Sequence, residues 1–202
     1  LQPHCDETYR TSTIGITIFQ VFEPSTEGGH STLVDGFEAA RRFHTEFPDD
    51  FEELVRTPLT GQRFDPKHAE GELPRWYRCT LPMIRLDEDQ EVCGIRVNER
   101  QIAPIDLPYD QVVPTYRALQ KFLKIVYDPS LIISFPLTKG DSLIFNNQRV
   151  LHGRTAFKLE DPGRQVLTNS IDLEDLYSNL RILRRRLKPE EPLQTYSQGM
   201  VT

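Results

Sequence analysis

The sequence predicts a mainly β domain with inserted helices, a double-stranded β-helix or jelly-roll in which two sheets face each other. Many short β-branched and aromatic runs are separated by turn residues, and only a few stretches place apolar residues at helical spacing. The chain of 202 residues is long enough for one domain with a sizeable core, and 38% hydrophobic with 27% charged residues is ordinary for a globular protein.

The first third of the chain alternates strands with short helices. Residues 13–22 are β-branched and alternate in polarity at first, as a half-buried strand does. Asp35 is a good N-cap for a helix that Pro48 ends, and Asp49 and Asp50 can cap the next helix. The predicted elements are strands over 13–22 and 31–34, helices over 36–47 and 51–55, and a long polar loop over 57–74.

The rest of the chain is predicted to form strands around one long helix, followed by a terminal helix. Residues 111–127 have apolar residues at helical spacing, with Pro114 in the first turn, where proline is tolerated. Asp172 is expected to cap the last helix. The predicted elements are strands over 75–80, 91–98, 131–135, 142–145, 149–153 and 165–171, and helices over 111–127 and 173–187.

Composition limits the functional classes. The net charge of −6 argues against a nucleic-acid partner, and no apolar run approaches the roughly 20 residues that span a bilayer. Three cysteines without CxxC spacing favour a reducing compartment, cytoplasmic or mitochondrial. We expect residues 1–188 to form one catalytic domain and residues 189–202 to be a mobile tail, with a small molecule as partner and a homodimer as one assembly to test.

Two motifs carry candidate chemistry: His4-Cys5-Asp6 near the start of the chain and His152 within residues 149–154. In a strand, residues i and i+2 share a side, so His4 and Asp6 would point together and Cys5 away from them. Two imidazoles and one carboxylate are the ligands of the facial triad that holds non-heme Fe(II), whereas structural zinc sites prefer more sulfur. Each motif alone is weak, because a lone histidine is more often structural. A zinc hydrolase is disfavoured because the chain has no HExxH motif.

Further short sequence segments accompany these two motifs. They include His-Cys-Asp with Tyr9, Gly-Gly to Val-Asp-Gly-Phe over 28–37, Arg-Val-Asn over 96–98, and Arg-Val-Leu-His-Gly-Arg over 149–154. With them the chain resembles the 2-oxoglutarate-dependent dioxygenases of the carnitine pathway, the γ-butyrobetaine and trimethyllysine dioxygenases, within the broader taurine-dioxygenase-like group. The resemblance runs along nearly all of the chain.

The resemblance implies a cofactor site. His4, Asp6 and His152 would bind Fe(II), and Arg164 would bind the distal carboxylate of the co-substrate 2-oxoglutarate. The resemblance also implies that Ser31 would bind the same carboxylate, with Thr32 as the alternative. Arg154 would either join this site or tie its strand to a nearby acid. A planar guanidinium suits a carboxylate because it can pair bidentately. O2 would be the oxidant, with ascorbate as an accessory reductant.

The resemblance also implies a substrate: a trimethylammonium compound such as γ-butyrobetaine or trimethyllysine, held in an aromatic cage. Tyr9 would join this cage, and Asn98 and Arg96 would either line the pocket or satisfy the rim of the fold. Ser170 stands where the family carries a cage tyrosine, and serine has no π face.

Three functions therefore stay open. The first is the family's hydroxylation of a quaternary ammonium compound. The second is hydroxylation of a substrate without that group, and the third is a truncated, inactive paralogue that acts as a binding protein. The family has a sizeable N-terminal part before its first ligand, so we expect this jelly-roll to lack its first strands, which would expose a sheet edge.

Overall fold

A computed structural model describes residues 1–66, 73–158 and 163–192 of the chain. The following strands and helices are present. The strands are β1 (Ile16–Glu23), β2 (Ser31–Asp35), β3 (Leu59–Asp65), β4 (Arg75–Leu81), β5 (Ile84–Leu86), β6 (Val92–Ile95), β7 (Ile133–Phe135), β8 (Ser142–Asn146), β9 (Val150–Arg154) and β10 (Gln165–Ile171). The helices are α1 (Gly36–Glu46), α2 (Pro48–Arg56), α3 (Tyr109–Val126) and α4 (Leu173–Leu187), with a 3₁₀ turn at Glu99–Gln101.

Two antiparallel sheets of three strands face each other. The front sheet has the order β10-β1-β8 and the back sheet the order β7-β2-β9. His4 pairs with His152 in an isolated antiparallel bridge, which extends the back sheet by one residue beyond β9. Two hairpins, β3–β4 and β5–β6, stand beside these sheets. This mainly β arrangement with inserted helices confirms the fold class that the sequence predicts.

The hydrophobic core lies on the far side of the back sheet, against α1, α2 and α3. Each of these helices is amphipathic and directs its apolar stripe inward, as the spacing of their apolar residues predicts. Side chains of this size contribute about 1.5–3 kcal/mol each when fully buried. The largest fully buried apolar side chains are Phe43, Phe122, Leu54, Ile84, Ile95 and Leu151.

Asp35 joins the back sheet to helix α1. Its Oδ1 accepts a hydrogen bond from the backbone N–H of Phe37 at 3.0 Å, which confirms the predicted N-cap. The same carboxylate receives Arg149 Nη2 at 2.8 Å. Because Arg149 precedes β9, this ion pair fixes the start of α1 beside the strand that carries His152.

Some predicted elements differ from the structure. The loop predicted over 57–74 is wrong in its first part, because residues 59–65 form β3 and pair with β4. The polar composition concealed this strand, since its distal half is exposed on both faces. The short strand β5 was also missed, and the strand predicted over 91–98 ends at Ile95. Residues 193–202, most of the predicted tail, lie outside the described residues, as do 67–72 and 159–162.

The helix ends also differ in detail. Helix α2 begins at Pro48 and not at residue 51, so Asp49 and Asp50 lie in its first turn and do not cap it. Helix α3 begins at Tyr109, which places Pro114 in the second turn. Asp172 occupies the N-cap position of α4, but its side chain makes no capping hydrogen bond. In the part of the chain that the structure describes, no helix is long and apolar enough to cross a bilayer.

Candidate functional site

The structure brings His4, Asp6 and His152 together. Asp6 Oδ1 lies 3.3 Å from His4 Nε2, and Asp6 Oδ2 lies 3.4 Å from His152 Nε2. The ring centroids of the two histidines are 4.5 Å apart. One candidate ligand atom from each of the three residues lies within 4.8 Å of the others, which is close enough for one metal ion to contact all three.

The bridge between His4 and His152 sets this geometry. Each residue donates its backbone N–H to the carbonyl oxygen of the other at 2.9 Å, so the two side chains stand on the same face. Asp6 does not continue the strand, because residues 6–9 form a turn. The prediction of a strand through Asp6 is therefore wrong, and the turn brings its carboxylate back toward both imidazoles.

Cys5 points away from the cluster, as the sequence predicts. Its thiol is fully buried and donates to the carbonyl oxygen of Ile95 at 3.3 Å. Burial raises the pKa of Cys5 to about 12, so the thiol stays neutral and is a poor metal ligand.

Asn147 holds Asp6 through the backbone. Asn147 is fully buried; its Oδ1 accepts the Asp6 N–H at 2.8 Å and its Nδ2 donates to the Asp6 carbonyl at 3.1 Å. Asn98 acts in the same way on the preceding residue, with Nδ2 donating to the Cys5 carbonyl at 3.1 Å. The sequence motifs alone assign no role to Asn147. Its position five residues before His152 was the available signal.

The electrostatics of the cluster favour a cation. Burial of Asp6 opposes ionisation, but the hydrogen bonds and charges of His152 and His4 outweigh it and hold the pKa of that carboxyl well below its usual range. Among the described residues, Asp6 forms ion pairs with these two histidines and with no lysine or arginine. A half-buried carboxylate beside two imidazoles, with no permanent cation, is a donor set that a divalent metal ion fits.

The two histidines differ in the nitrogen that faces away from Asp6. His4 Nδ1 lies 2.9 Å from the carbonyl oxygen of Gln2, so a proton on Nδ1 satisfies that contact and leaves the Nε2 lone pair toward Asp6. His152 Nδ1 is buried and has no hydrogen-bond partner among the described residues. The ring of His152 packs on Phe145, with centroids 4.8 Å apart.

A cavity of about 160 Å³ lies between the two sheets and connects the cluster to the predicted arginines. We call it the inner cavity. Side chains of the front sheet, such as Phe19 and Phe145, form one wall and the back sheet forms the other. The predicted site residues that line it are Asp6, Ser31, Thr32, His152, Arg154 and Arg164.

Two arginines give the inner cavity a cationic end. The Arg164 guanidinium lies 5.4 Å from the ring centre of Phe19 and 5.8 Å from that of Phe157, and Arg154 lies 4.2 Å from Phe157. Burial, and next the charge of Arg154, lower the pKa of Arg164, although an arginine stays protonated. No described carboxylate pairs with either arginine, so the expected tie between Arg154 and an acid is not found in the described ranges.

Strand register separates Ser31 from Thr32. Ser31 is aligned with Arg154 and Leu33 with His152, so these side chains share the face of the inner cavity. Thr32 is aligned with Gly153, so its side chain points to the other face, even though the residue is part of the cavity lining. A Cβ added to Gly153 would lie 2.8 Å from Thr32 Oγ1, which agrees with that direction.

The three candidate substrate residues do not meet in one pocket. Tyr9 is buried and stacks on Tyr77 at 5.6 Å, with its hydroxyl donating to Glu7 at 3.4 Å. Asn98 is committed to the backbone of Cys5. Ser170 is exposed on β10, opposite Thr17. None of the three lines the inner cavity or the second cavity at Asp6 that is described below.

Arg96 is also a structural residue here. Its guanidinium donates to the backbone carbonyls of Thr8 and, at 3.2 Å, Arg10. Burial lowers the pKa of Arg96, and the side chain ties the turn after Asp6 to the end of the β5–β6 hairpin. Of the two roles expected for Arg96, the structure shows the one at the rim.

A second cavity also borders Asp6, and Arg164 is not among its lining residues. This outer cleft has a volume of about 770 Å³. No sequence motif indicates this cleft, because part of it is formed by β3, which the sequence does not predict. Its lining residues are Asp6, Gln62, Arg63, Phe64, Trp76, Arg100, Gln101 and Ile102.

The fold and the site together define a class of protein: a jelly-roll of two facing sheets with a two-histidine, one-carboxylate cluster at one end of the cavity between them. A family model described as "Taurine catabolism dioxygenase TauD, TfdA family" matches residues 1–170. The chain therefore belongs to the TauD/TfdA family.

Individual relatives agree with this family. The chain is 31% identical over 193 residues to trimethyllysine dioxygenase of Meyerozyma guilliermondii, which covers 94% of this chain. It is 30% identical over 182 residues to γ-butyrobetaine dioxygenase of Pseudomonas sp. (strain AK-1), which covers 90% of this chain. The chain spans 46% of the length of each of these relatives.

A solved structure of an asparagine oxygenase in complex with Fe(II), 2S,3S-3-hydroxyasparagine and succinate shares the fold. The TM-score is 0.62 at 15% identity, and the match covers 96% of this chain and 54% of that one. At this identity the likeness supports the jelly-roll fold alone.

Proposed function

We propose that this chain catalyses the Fe(II)- and 2-oxoglutarate-dependent hydroxylation of a small molecule. The observation that carries the proposal is that Asp6 and His152 of the three-residue cluster line the same cavity between the two sheets as Arg164. Membership of the TauD/TfdA family supports the same conclusion.

His4, Asp6 and His152 would hold the iron. The lowered pKa of Asp6 keeps its carboxylate ionised, and the Gln2 carbonyl orients the His4 ring. When bound, iron would supply the oxidising chemistry, with O2 as the oxidant and 2-oxoglutarate as the co-substrate that is converted to succinate and CO2. Ascorbate would serve as the accessory reductant that keeps the metal in the Fe(II) state.

Arg164 would bind the distal carboxylate of 2-oxoglutarate, and Ser31 would donate a hydroxyl hydrogen bond to it. Both line the inner cavity, and in the described ranges Arg164 has no carboxylate of its own to neutralise it. A charge-assisted pair in a partly dry cavity is stronger than one in water. Arg154 raises the positive potential at the same end.

The apolar walls protect this chemistry. Phe19 and Phe145 of the front sheet line the inner cavity, and Phe145 covers one face of His152. A dry pocket matters because the oxidant would otherwise attack water or the protein itself.

The first candidate substrates are trimethyllysine and γ-butyrobetaine, after the names of the two relatives. A second candidate is a molecule without a quaternary ammonium group. Two observations favour the second: position 170 is an exposed serine, and Tyr9 is buried against Tyr77, so neither offers an aromatic face to the cavities. Succinate formation that either quaternary compound stimulates would decide for the first.

The test begins with purified protein titrated anaerobically with Fe(II) and 2-oxoglutarate. We expect the weak visible charge-transfer band of the iron-bound co-substrate, which Arg164→Ala should abolish at the same 2-oxoglutarate concentration. Arg56→Ala, on the exposed surface of α2, is the matched control and should keep the band. Folded wild-type protein that binds neither metal nor 2-oxoglutarate would contradict the proposal and favour an inactive paralogue.

All three cysteines are free and buried, which supports the expectation of a reducing compartment, cytoplasmic or mitochondrial. A homodimer stays a prediction, and sedimentation velocity of the loaded protein would test it.

A further inference from the structure

The outer cleft has a chemical character of its own. It is larger than the inner cavity, and Arg164 is not among its lining residues. Asp6 is the one acidic residue among the described residues that line it, while Arg63 and Arg100 contribute two positive charges. Once a divalent cation neutralises Asp6, the lining has a net positive charge, which attracts anions.

The two arginines are not equivalent. Arg63 Nε lies 2.8 Å from both carboxylate oxygens of Asp65, so its charge is largely neutralised. Arg100 is exposed, and within the described part of the chain it has no ion pair or hydrogen bond from its side chain. A guanidinium without a partner at the edge of a cleft is available for a ligand carboxylate.

Arg100 is held at a fixed place relative to Asp6. It lies in the 3₁₀ turn Glu99–Gln101, and the residues on both sides of it bind the segment that carries the candidate metal ligands. Asn98 donates to the Cys5 carbonyl at 3.1 Å, and Gln101 Oε1 accepts from the Thr8 N–H at 3.2 Å and from its hydroxyl at 3.0 Å. The backbone that presents Arg100 is thus tied to the backbone that presents Asp6.

Part of the lining of the cleft is aromatic. Trp76 of β4 and Phe64 of β3 pack edge to face, with centroids 6.1 Å apart, yet their exposed fractions are 69% and 62%. Two large apolar side chains left this exposed beside a cavity indicate a surface that a ligand covers.

We propose that the primary substrate is an anionic small molecule whose carboxylate binds Arg100, whose apolar part lies on Trp76 and Phe64, and whose reacting carbon points toward Asp6. This inference rests on the proposed function, because it takes Asp6 as the position of the reacting metal. It makes the anionic group the main determinant of recognition, and a quaternary ammonium group is then not required.

Trp76 makes the test specific, because it is the only tryptophan in the chain. The full chain, loaded anaerobically with Fe(II) and 2-oxoglutarate, is titrated with three matched probes while tryptophan emission is recorded. γ-Butyrobetaine has both a cation and a carboxylate, 5,5-dimethylhexanoate has the same shape without the cation, and γ-butyrobetaine methyl ester has the cation without the carboxylate.

We expect both carboxylates to change the emission of Trp76 with saturation, and the ester to bind much more weakly. Arg100→Gln should weaken binding of both carboxylates by about 10- to 100-fold, the range for a hydrogen bond to a charged group, and leave the ester unaffected. Arg100→Lys should retain part of the affinity, and Arg56→Gln is the control for a lost surface charge. Because Arg100 is exposed and makes no contact that folding needs, its variants should melt like wild type.

Two outcomes overturn the inference. One is an ester that binds as tightly as γ-butyrobetaine, which would assign recognition to the cation. The other is carboxylate binding that Arg100→Gln leaves unchanged. In both cases the charge-transfer band of the loaded protein shows whether the proposed function still stands, since that band depends on Arg164 and not on Arg100.

Discussion

Asp6 depends on its neighbours more than on regular secondary structure. It lies in a turn, and its backbone is held on both its N–H and its carbonyl by the Asn147 amide. Its carboxylate is then free to face His4 and His152. A side chain that is fixed through its own backbone keeps its geometry when a metal binds, which reduces the reorganisation that binding requires.

Asn147→Ala should therefore weaken metal binding. Loss of such supporting contacts typically costs about 10- to 100-fold in metal affinity. Titration with Co(II), followed by its visible absorption, measures this effect. Asn169→Ala, an exposed asparagine on β10, is the matched control. Equal Co(II) affinity in the two variants would mean that metal binding does not depend on the hydrogen bonds between Asn147 and the Asp6 backbone.

Ser31 and Ser170 give a second test at the scale of single residues. Ser31 lines the inner cavity with Arg164, whereas Ser170 is exposed and lines neither cavity at Asp6. We expect Ser31→Ala to raise the Kd for 2-oxoglutarate about tenfold, because one hydrogen bond to a carboxylate is lost. Ser170→Ala should leave that Kd unchanged in the same anaerobic titration. The reverse pattern would place the co-substrate elsewhere.

At the scale of elements, the geometry of the site depends on two features: the backbone bridge between His4 and His152 of β9, and the hairpin β3–β4. Gly61 of β3 packs on the turn after Asp6, and a Cβ there would lie 2.5 Å from the Thr8 carbonyl oxygen. That close approach lets the hairpin form a wall of the outer cleft. The helices are held separately, by contacts such as those of Asp50 in α2 with α3.

Asp50 joins α2 to α3 through charge. It is 6% exposed and binds Lys121 and, at 3.1 Å, Arg117 Nε. Burial of Asp50 opposes ionisation, but the bonds from Lys121 and Arg117 prevail and lower the pKa of its carboxyl. A lowered folded-state pKa stabilises the protein above the unfolded value near 4, and this stability is lost as pH falls through the folded value.

Asp50→Asn should thus destabilise the protein by about 1–2 kcal/mol at neutral pH, since charge-assisted hydrogen bonds are lost to partly solvated partners. The difference from wild type should begin to shrink as the pH falls below about 4, where Asp50 of the unfolded state takes up a proton, and it should be lost fully only below the lowered pKa of the folded state. Urea unfolding at pH 7 and pH 3.5 measures both effects, with Asp89→Asn in the exposed β5–β6 turn as control. A difference that is independent of pH would assign the effect to packing.

At the scale of the whole molecule, the inner cavity joins the two sheets. His152, Ser31 and Arg154 come from the back sheet, Phe19 and Thr168 from the front sheet, and Arg164 directly precedes a front-sheet strand. A metal ion and a dicarboxylate bound in this cavity would add contacts between the two sheets. Ligand binding should therefore stabilise the fold as a whole.

We expect Mn(II) with 2-oxoglutarate to raise the melting temperature. At 100 times Kd, binding contributes about 2.7 kcal/mol, which corresponds to a rise of about 5–10 °C for a domain of this size. Differential scanning fluorimetry measures the shift, and His152→Ala should abolish it while keeping a cooperative transition without ligand. An equal shift in His152→Ala would show that the metal binds at another site.

The sequence by itself determined the class of fold, the approximate positions of its main helices and the three candidate ligands, because apolar periodicity and short motifs are local signals. It also determined the N-cap at Asp35, which depends on neighbouring residues alone. The resemblance carried by those motifs pointed to the family that the comparisons show.

Only the tertiary structure decided the rest. The turn that returns Asp6 to the histidines, the Asn147 clamp and the separation of Ser31 from Thr32 all depend on strands that are distant in the chain. The strand β3 was missed because its polar, exposed distal half has no apolar alternation, and its pairing with β4 is what stabilises it. For the same reason the outer cleft, which both Arg100 and Trp76 line, could not be predicted from sequence spacing: it exists only where the hairpin, the 3₁₀ turn and Asp6 meet.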